Sequence, residues 1–322
     1  MGGSYEYATG SVRAREVRLL REQDIDQLVN ADSIERLSSL LKEKGYTDYG
    51  NDIDRSLEEN MTETFEYIRS VAPDFSLFNC FLLRNDAHNI KLIIKGILRS
   101  RDYEGLIMEP FTVPTDDIVS AVSEKKYDLL PAWLSQSVEF SCKAVALGDA
   151  QLADAEIDRV IMEKMVSEAE STGVDFLARY IKVSVFYYNI KVLIRSAKMG
   201  KTPDFMQRAV CGLDGFKKDE YIKAASAGLN ELIRELGSTD ENRLSDAIEA
   251  YKNGGGAFEK YVDDLLMIET EVCKMAAYGE KVLIGYYLAK ETENKIIHII
   301  ASGIRTGSSP EAIKERVRRT YG

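Results

Sequence analysis

The segment Tyr187-Tyr188-Asn189-Ile190-Lys191-Val192-Leu193-Ile194-Arg195-Ser196 has near copies about a hundred residues to either side. Upstream the chain reads Asn89-Ile90-Lys91-Leu92-Ile93-Ile94-Lys95-Gly96, and downstream Asn294-Lys295-Ile296-Ile297-His298-Ile299-Ile300. Self-similarity at a fixed period constrains the fold more than any local signal, because each copy must be one structural unit. A second marker precedes each copy: Ile53-Asp54-Arg55, Ile157-Asp158-Arg159 and Val262-Asp263-Asp264. The separations from Asp54 to Asn89, Asp158 to Asn189 and Asp263 to Asn294 are 35, 31 and 31 residues. The first interval is longer by about one helical turn, which places the insertion in the loop 70–76 around Pro73.

The stretches between markers are apolar at helical spacing. Leu83, Ala87, Ile90, Ile94 and Ile97 fall on one helix face, and six prolines in 322 residues leave long segments unbroken. Sustained period-two alternation is not found, so the expected fold is all-α. The reading predicts helices over 5–22, 25–29, 34–42, 76–100, 132–147, 151–169, 175–199, 219–236, 244–251, 257–277 and 281–305. It adds a long Asp54 helix, one holding Ile118 and Val122, and a basic C-terminal helix begun by Pro310. Ser76 and Thr115 or Asp116 are expected caps, and Gly254-Gly255-Gly256 an expected flexible break. The 175–199 segment is apolar on two stripes and should be buried between other helices. Three helical-bundle repeats are expected, at 1–108, 109–211 and 212–322, packed into one core.

Bulk properties exclude several classes. A formal net charge of −11 argues against a nucleic-acid partner, which needs a basic footprint. No apolar run reaches the roughly 18 residues of a membrane span, so direct lipid insertion is not expected, and the first residues show no apolar signal core. Cys80, Cys142, Cys211 and Cys273 are isolated and are read as reduced core residues. Two histidines and no paired cysteines give no metal site.

Motif fragments carry no chemistry on inspection. Gly200-Lys201-Thr202 lacks the earlier glycine of a phosphate loop and leaves a helix rather than a strand. Asp263-Asp264 lies inside a helical pattern, not on the hairpin that holds paired metal-binding aspartates. Asp86 and His88 are two apart on a helix and face different ways; a polar belt is the simpler reading, with Arg84 or charges on a neighbouring helix as partners of Asp86. His298, between isoleucines, is expected as a satisfied core residue. No catalytic, cofactor-binding or metal residue is assigned, and an interaction protein is the reading from residues alone.

Leu82-Leu83-Arg84-Asn85-Asp86-Ala87-His88-Asn89-Ile90-Lys91 resembles the Leu-Arg-Asn-Asp-x-His-Asn-Leu segment of the C subunits of bacterial and archaeal V/A-type ATPases, relatives of the eukaryotic V-type d subunits. Tyr7-Ala8-Thr9-Gly10-Ser11-Val12-Arg13-Ala14-Arg15-Glu16 is similar to that family's opening, and Ala289-Lys290-Glu291-Thr292-Glu293-Asn294 to a segment near its end. Ser11 replaces an expected arginine, and Val185-Phe186 stand where the other copies have Asn85-Asp86 and Lys290-Glu291. The resemblance implies a non-catalytic rotor component, without cofactors, on the cytoplasmic side of a membrane complex. Its three domains would form a funnel with pseudo-threefold symmetry. It would join the central-stalk subunits to the ring of proteolipid subunits and transmit torque, with Arg13 and Arg15 as candidate stalk or ring contacts. The alternatives are an all-α repeat scaffold unrelated to ATPases and a helical-bundle hydrolase, which would need a selected pair of carboxylates.

Overall fold

The computed structural model describes residues 4–237 and 242–322, and residues 1–3, read above for a signal core, lie outside it. Every regular element among the described residues is helical. The chain opens with α1 (Tyr5–Glu16), α2 (Glu22–Val29), α3 (Ile34–Glu43) and α4 (Ile53–Val71). It continues with α5 (Asn79–Arg99), α6 (Thr115–Glu124), α7 (Ala132–Ala146), α8 (Ala150–Ser171), α9 (Asp175–Met199) and α10 (Pro203–Ala209). Next are α11 (Lys218–Ala227), α12 (Leu229–Gly237), α13 (Asn242–Lys252) and α14 (Gly255–Glu269). The last are α15 (Glu271–Lys274), α16 (Glu280–Arg305) and α17 (Pro310–Arg316).

Side-chain caps set many of the helix starts. The oxygens of Ser4, Ser33, Asp52, Asp149, Thr202 and Ser309 accept from the backbone amides of Tyr7, Arg36, Arg55, Leu152, Phe205 and Ala312. Each bond satisfies an amide that the helix cannot. At the far end of α9, Gly200 adopts the left-handed conformation at φ 62° that closes a helix.

Several boundaries differ from the sequence reading. The first expected helix ends at Glu16, and residues 17–21 form a turn before α2. The segment 219–236 is broken at Gly228, whose φ of 126° no helix accommodates. The segment 257–277 divides at Thr270, which caps both α14 and α15. Ser76 sits inside a short 3-10 turn ahead of α5, and Pro114 rather than Thr115 or Asp116 occupies the N-cap of α6. Gly254 is the N-cap of α14, and Gly255 and Gly256 are its first residues.

The chain divides into two compact units, Met1–Phe75 with Asp246–Gly322, and Ser76–Ser245. One boundary falls between α4 and α5, so the units cut across the expected repeats. In the first unit α16 is the axis, packed against α1, α3, α4, α15 and α17. Its residues Val282 to Ala289 are all buried. Ile296, Ile297 and Ile300 join Leu28, Leu37, Leu41 and Ile53 in one cluster; each such side chain contributes about 1.5–3 kcal/mol on burial. In the second unit α8 is central and packs on α5, α7, α9 and α10. Residues 180–194 of α9 are all buried or half-buried, as two apolar stripes require.

Two glycines on α16 allow close crossings. A Cβ on Gly303 would lie 2.5 Å from Ile313 Cγ1, and one on Gly285 would lie 2.6 Å from Cys273 Cβ and 2.8 Å from the Tyr321 hydroxyl. Alanine gains about 1 kcal/mol of helix propensity over glycine, but overpacking costs about 1–3 kcal/mol. Gly285→Ala is therefore expected to lower the melting temperature; a rise would show that α16 and the chain end are not in this contact.

Candidate functional site

The polar residues of α5 converge on one strap of chain, residues 106–113. Asn85, His88 and Asn89 share a face because positions three and four apart on a helix are neighbours, and Asp86 flanks them. His88 Nε2 lies 3.1 Å from the Leu106 carbonyl. Asn89 donates to the Met108 carbonyl at 2.9 Å and accepts from its amide at 2.8 Å. Asn85 donates to the Pro110 carbonyl at 2.8 Å. Asp86 accepts from the Thr112 amide at 2.9 Å, the Thr112 hydroxyl at 2.6 Å and the Val113 amide at 3.0 Å. Every second residue of the strap from Leu106 to Thr112 is thus held by one motif residue.

Asp86 is wholly buried. Burial pushes its carboxyl above the ordinary 3.8, and the bonds from Thr112 and Val113 oppose that rise. Arg84, expected beside Asp86, lies 5.9 Å from the Phe81 ring centre. The arrangement is a satisfied polar belt. It holds no nucleophile next to a base.

Asn189 repeats the clamp. It donates to the Cys211 carbonyl at 3.0 Å and accepts from its amide at 2.8 Å, while Glu163 accepts from the Gly212 amide at 2.7 Å. Where α5 carries Asn85 and Asp86, α9 carries buried Val185 and half-buried Phe186, whose ring meets Phe216 edge-on at 5.6 Å. Asn294 differs from the other two. It donates to the Leu57 carbonyl of α4 at 2.9 Å, and its buried Oδ1 has no partner among the described residues.

The three marker aspartates are ion-pair partners of the long helices. Asp158 of α8 binds Lys91 of α5 at 2.6 Å. Asp54 of α4 binds His298 and Arg305 of α16 at 3.1 and 3.0 Å. Asp263 of α14 binds Lys295 and Arg318 at 2.7 and 2.8 Å, which removes any need for a metal there. His298 is exposed rather than in the core, because its face of α16 meets Asp54 beside solvent. Such accessible pairs contribute little, about 0–1 kcal/mol each.

Arg13 and Arg15 have distinct roles. Arg13 donates to the carbonyls of Cys273, Lys274 and Ala276 at 3.3, 3.0 and 2.7 Å and pairs with Glu16 at 2.6 Å. It thereby closes the C-terminal end of α15, where unpaired carbonyls gather. Arg15 is exposed, with its guanidinium 3.5 Å from the centre of the Tyr67 ring.

The sequence reading missed a buried cluster on α16. Glu293 accepts from Lys290 at 2.8 Å, from the Tyr46 hydroxyl at 3.2 Å and from the Leu20 amide. Burial, then Glu293, holds the Tyr46 hydroxyl well above its usual range. The available signal was Lys290 and Glu293, three apart and so on one helix face, within the polar stretch 290–295 that interrupts the apolar pattern of α16. Among the described residues no group of histidine, cysteine or acidic side chains could hold a metal ion. All four cysteines are free and buried, and burial raises the Cys80 thiol to about 12. Among the described residues no helix is long and apolar enough to cross a membrane.

Comparison with known proteins agrees along nearly the whole length. The sequence pattern of the ATP synthase (C/AC39) subunit family matches residues 8–316. The C subunit of the V-type sodium ATPase of Enterococcus hirae is 23% identical over 96% of this chain and 97% of its own. The C subunit of the A-type ATP synthase of Methanothermobacter thermautotrophicus is 25% identical over 96% of this chain and 86% of its own. That of Desulfurococcus sp. is 23% identical over 97% and 90%.

Removing Asn89 leaves both Met108 backbone groups unpaired, each costing about 1–3 kcal/mol. Asn89→Ala is expected to lose about 2–4 kcal/mol in denaturant unfolding, and Asn294→Ala, which frees one carbonyl and removes an orphaned oxygen, about 0–1 kcal/mol. Equal losses would contradict the clamp. Because the Asp86 pKa is raised on folding, its stabilising contribution is present below 3.8 and is lost as pH rises through the folded value. Asp86→Asn should therefore gain on the unmodified protein across that window; a pH-independent difference would contradict the burial of this carboxyl.

Proposed function

The chain belongs to the ATP synthase (C/AC39) subunit family, and from that premise we propose that it couples the central stalk of a V/A-type rotary ATPase to the membrane rotor ring. It is a non-catalytic component of such a complex, which displaces the readings as an unrelated scaffold or a hydrolase. In the proposed role it sits on the cytoplasmic side, peripheral to the bilayer, with the proteolipid ring and the stalk subunits as partners. Three repeats at 1–108, 109–211 and 212–322 surround the stalk end in a funnel of pseudo-threefold symmetry. The long helices are shared between repeats: α5 carries Lys91 to Asp158 of α8, and α16 carries His298 and Arg305 to Asp54 of α4.

The strap clamps are the observation that carries this reading. Torque transmission needs a body that does not shear, and the clamps tie inter-helix segments to α5 and α9 through buried hydrogen bonds. Ring contact goes through loops and helix ends, consistent with the lack of a membrane-spanning helix among the described residues. Arg13 and Arg15 belong to this contact, Arg15 through its exposed guanidinium and Arg13 by fixing residues 273–276 to α1.

The test is reconstitution of the ATPase with and without this chain, following ATP hydrolysis and ion transport together. Omission should leave hydrolysis by the soluble head but abolish transport driven by it, and the ring should no longer co-purify with the stalk. Coupled transport without the chain would overturn the proposal.

A further inference from the structure

The segment 317–322 of the first unit is held differently from the straps that Asn89 and Asn189 clamp. From Arg318 onward none of its backbone groups pairs with backbone among the described residues. Side chains hold it instead. The Val317 and Tyr321 carbonyls accept from Lys260 and Lys274 at 2.5 and 3.1 Å, and the Arg319 amide donates to Asp264 at 2.6 Å. Arg318 pairs with Asp263 at 2.8 Å, and Arg319 with Glu271 at 2.7 Å. Each of these bonds has an ionised partner, whereas the asparagine clamps are neutral.

The segment bridges separate parts of the unit. Lys260, Asp263 and Asp264 lie on α14, and Glu271 and Lys274 on α15. Tyr321, 9% exposed, fits against α16, where its hydroxyl and Cys273 Cβ are the atoms that a Cβ on Gly285 would strike. Within the unit α14 is held by little else. It packs on α15 and α17, and of its 15 residues only Phe258, Leu265, Leu266 and Met267 are buried. Gly254 precedes it at φ 110°, a backbone position with the freedom of a residue that has no Cβ.

We propose that residues 317–322 are a salt-releasable latch on α14. Closed, the latch fixes α14 and its marker Asp263 to α15 and α16. Open, α14 swings about Gly254 and Tyr321 leaves its slot, which uncovers Cys273. The side chains of Arg319 and Glu271 are more than half exposed, so salt screens this pair first. The neutral Asn89 clamp has no charge to screen. The chain therefore combines a strap that stays locked with one whose closure follows ionic strength. The inference does not depend on the coupling role.

The test is labelling of the full chain with N-ethylmaleimide, read at each cysteine by mass spectrometry. Salt is raised from about 0.01 M to about 1 M, which shortens the Debye length from about 30 Å to about 3 Å. Of the four cysteines Cys273 alone belongs to the first unit, and Cys80 and Cys211 in the second serve as internal controls. Cys273 labelling should rise at least about tenfold with salt while the controls stay constant. Arg318→Gln and Arg319→Gln should each label Cys273 faster at low salt and lose most of the salt dependence, with thermal melts confirming that they fold. Amide exchange along α14 should accelerate with salt while Met108 stays protected. A Cys273 rate indifferent to salt and to both variants would overturn the latch. Equal acceleration at Cys80 and Cys211 would also overturn it, because the opening would then be general unfolding.

Discussion

The two-way hydrogen bond between the Asn89 amide and the Met108 backbone is the interaction on which this architecture turns. Segments that leave a long helix and run back along it carry amide and carbonyl groups that no helix satisfies. A primary amide presents one donor and one acceptor at the spacing of a backbone neighbour, so a single asparagine can replace the missing strand. Asn89 does this for Met108 and Asn189 for Cys211. Around Asn89 the remaining motif residues finish the same task, and Asp86 satisfies two further amides. The result is a helix and its return segment held as one body.

Buried acids recur where the chain turns against a long helix. Asp86 receives Thr112 and Val113, and Glu293 receives Leu20, Tyr46 and Lys290. A carboxylate out of water is tolerated only when donors surround it, so each fixes its neighbours in one arrangement. In this family member the polar groups that resemble catalytic residues in sequence are spent on the fold. That agrees with a non-catalytic role in the complex.

The helical character was legible because periodicity at Leu83, Ala87, Ile90 and Ile94 reports burial directly, and all four are buried. The asparagine repeat identified two residues with the same geometry, Asn89 and Asn189. The third, Asn294, reads alike in sequence but faces α4, since a marker of one polar residue does not fix its partner. Gly228 was passed over inside a helical pattern, although a glycine is the usual residue where a helix ends with positive φ; an isolated glycine within a periodic segment does not by itself say whether the helix stops or continues. The cluster of Tyr46, Lys290 and Glu293 joins residues some 240 positions apart, and Arg13 reaches carbonyls 260 or more residues away. Single-sequence patterns carry no such pairing.

The most direct measurement is native-state amide hydrogen exchange at Met108, Thr112, Val113 and Cys211. These amides lie outside helices, so their protection depends on Asn89, Asp86 and Asn189 alone. If the straps are locked, they exchange as slowly as core amides of α5 and α9 and open only with the surrounding unit. Exchange at the rate of an exposed loop would show that the straps move independently of the helices, and the clamp would not be what holds this fold.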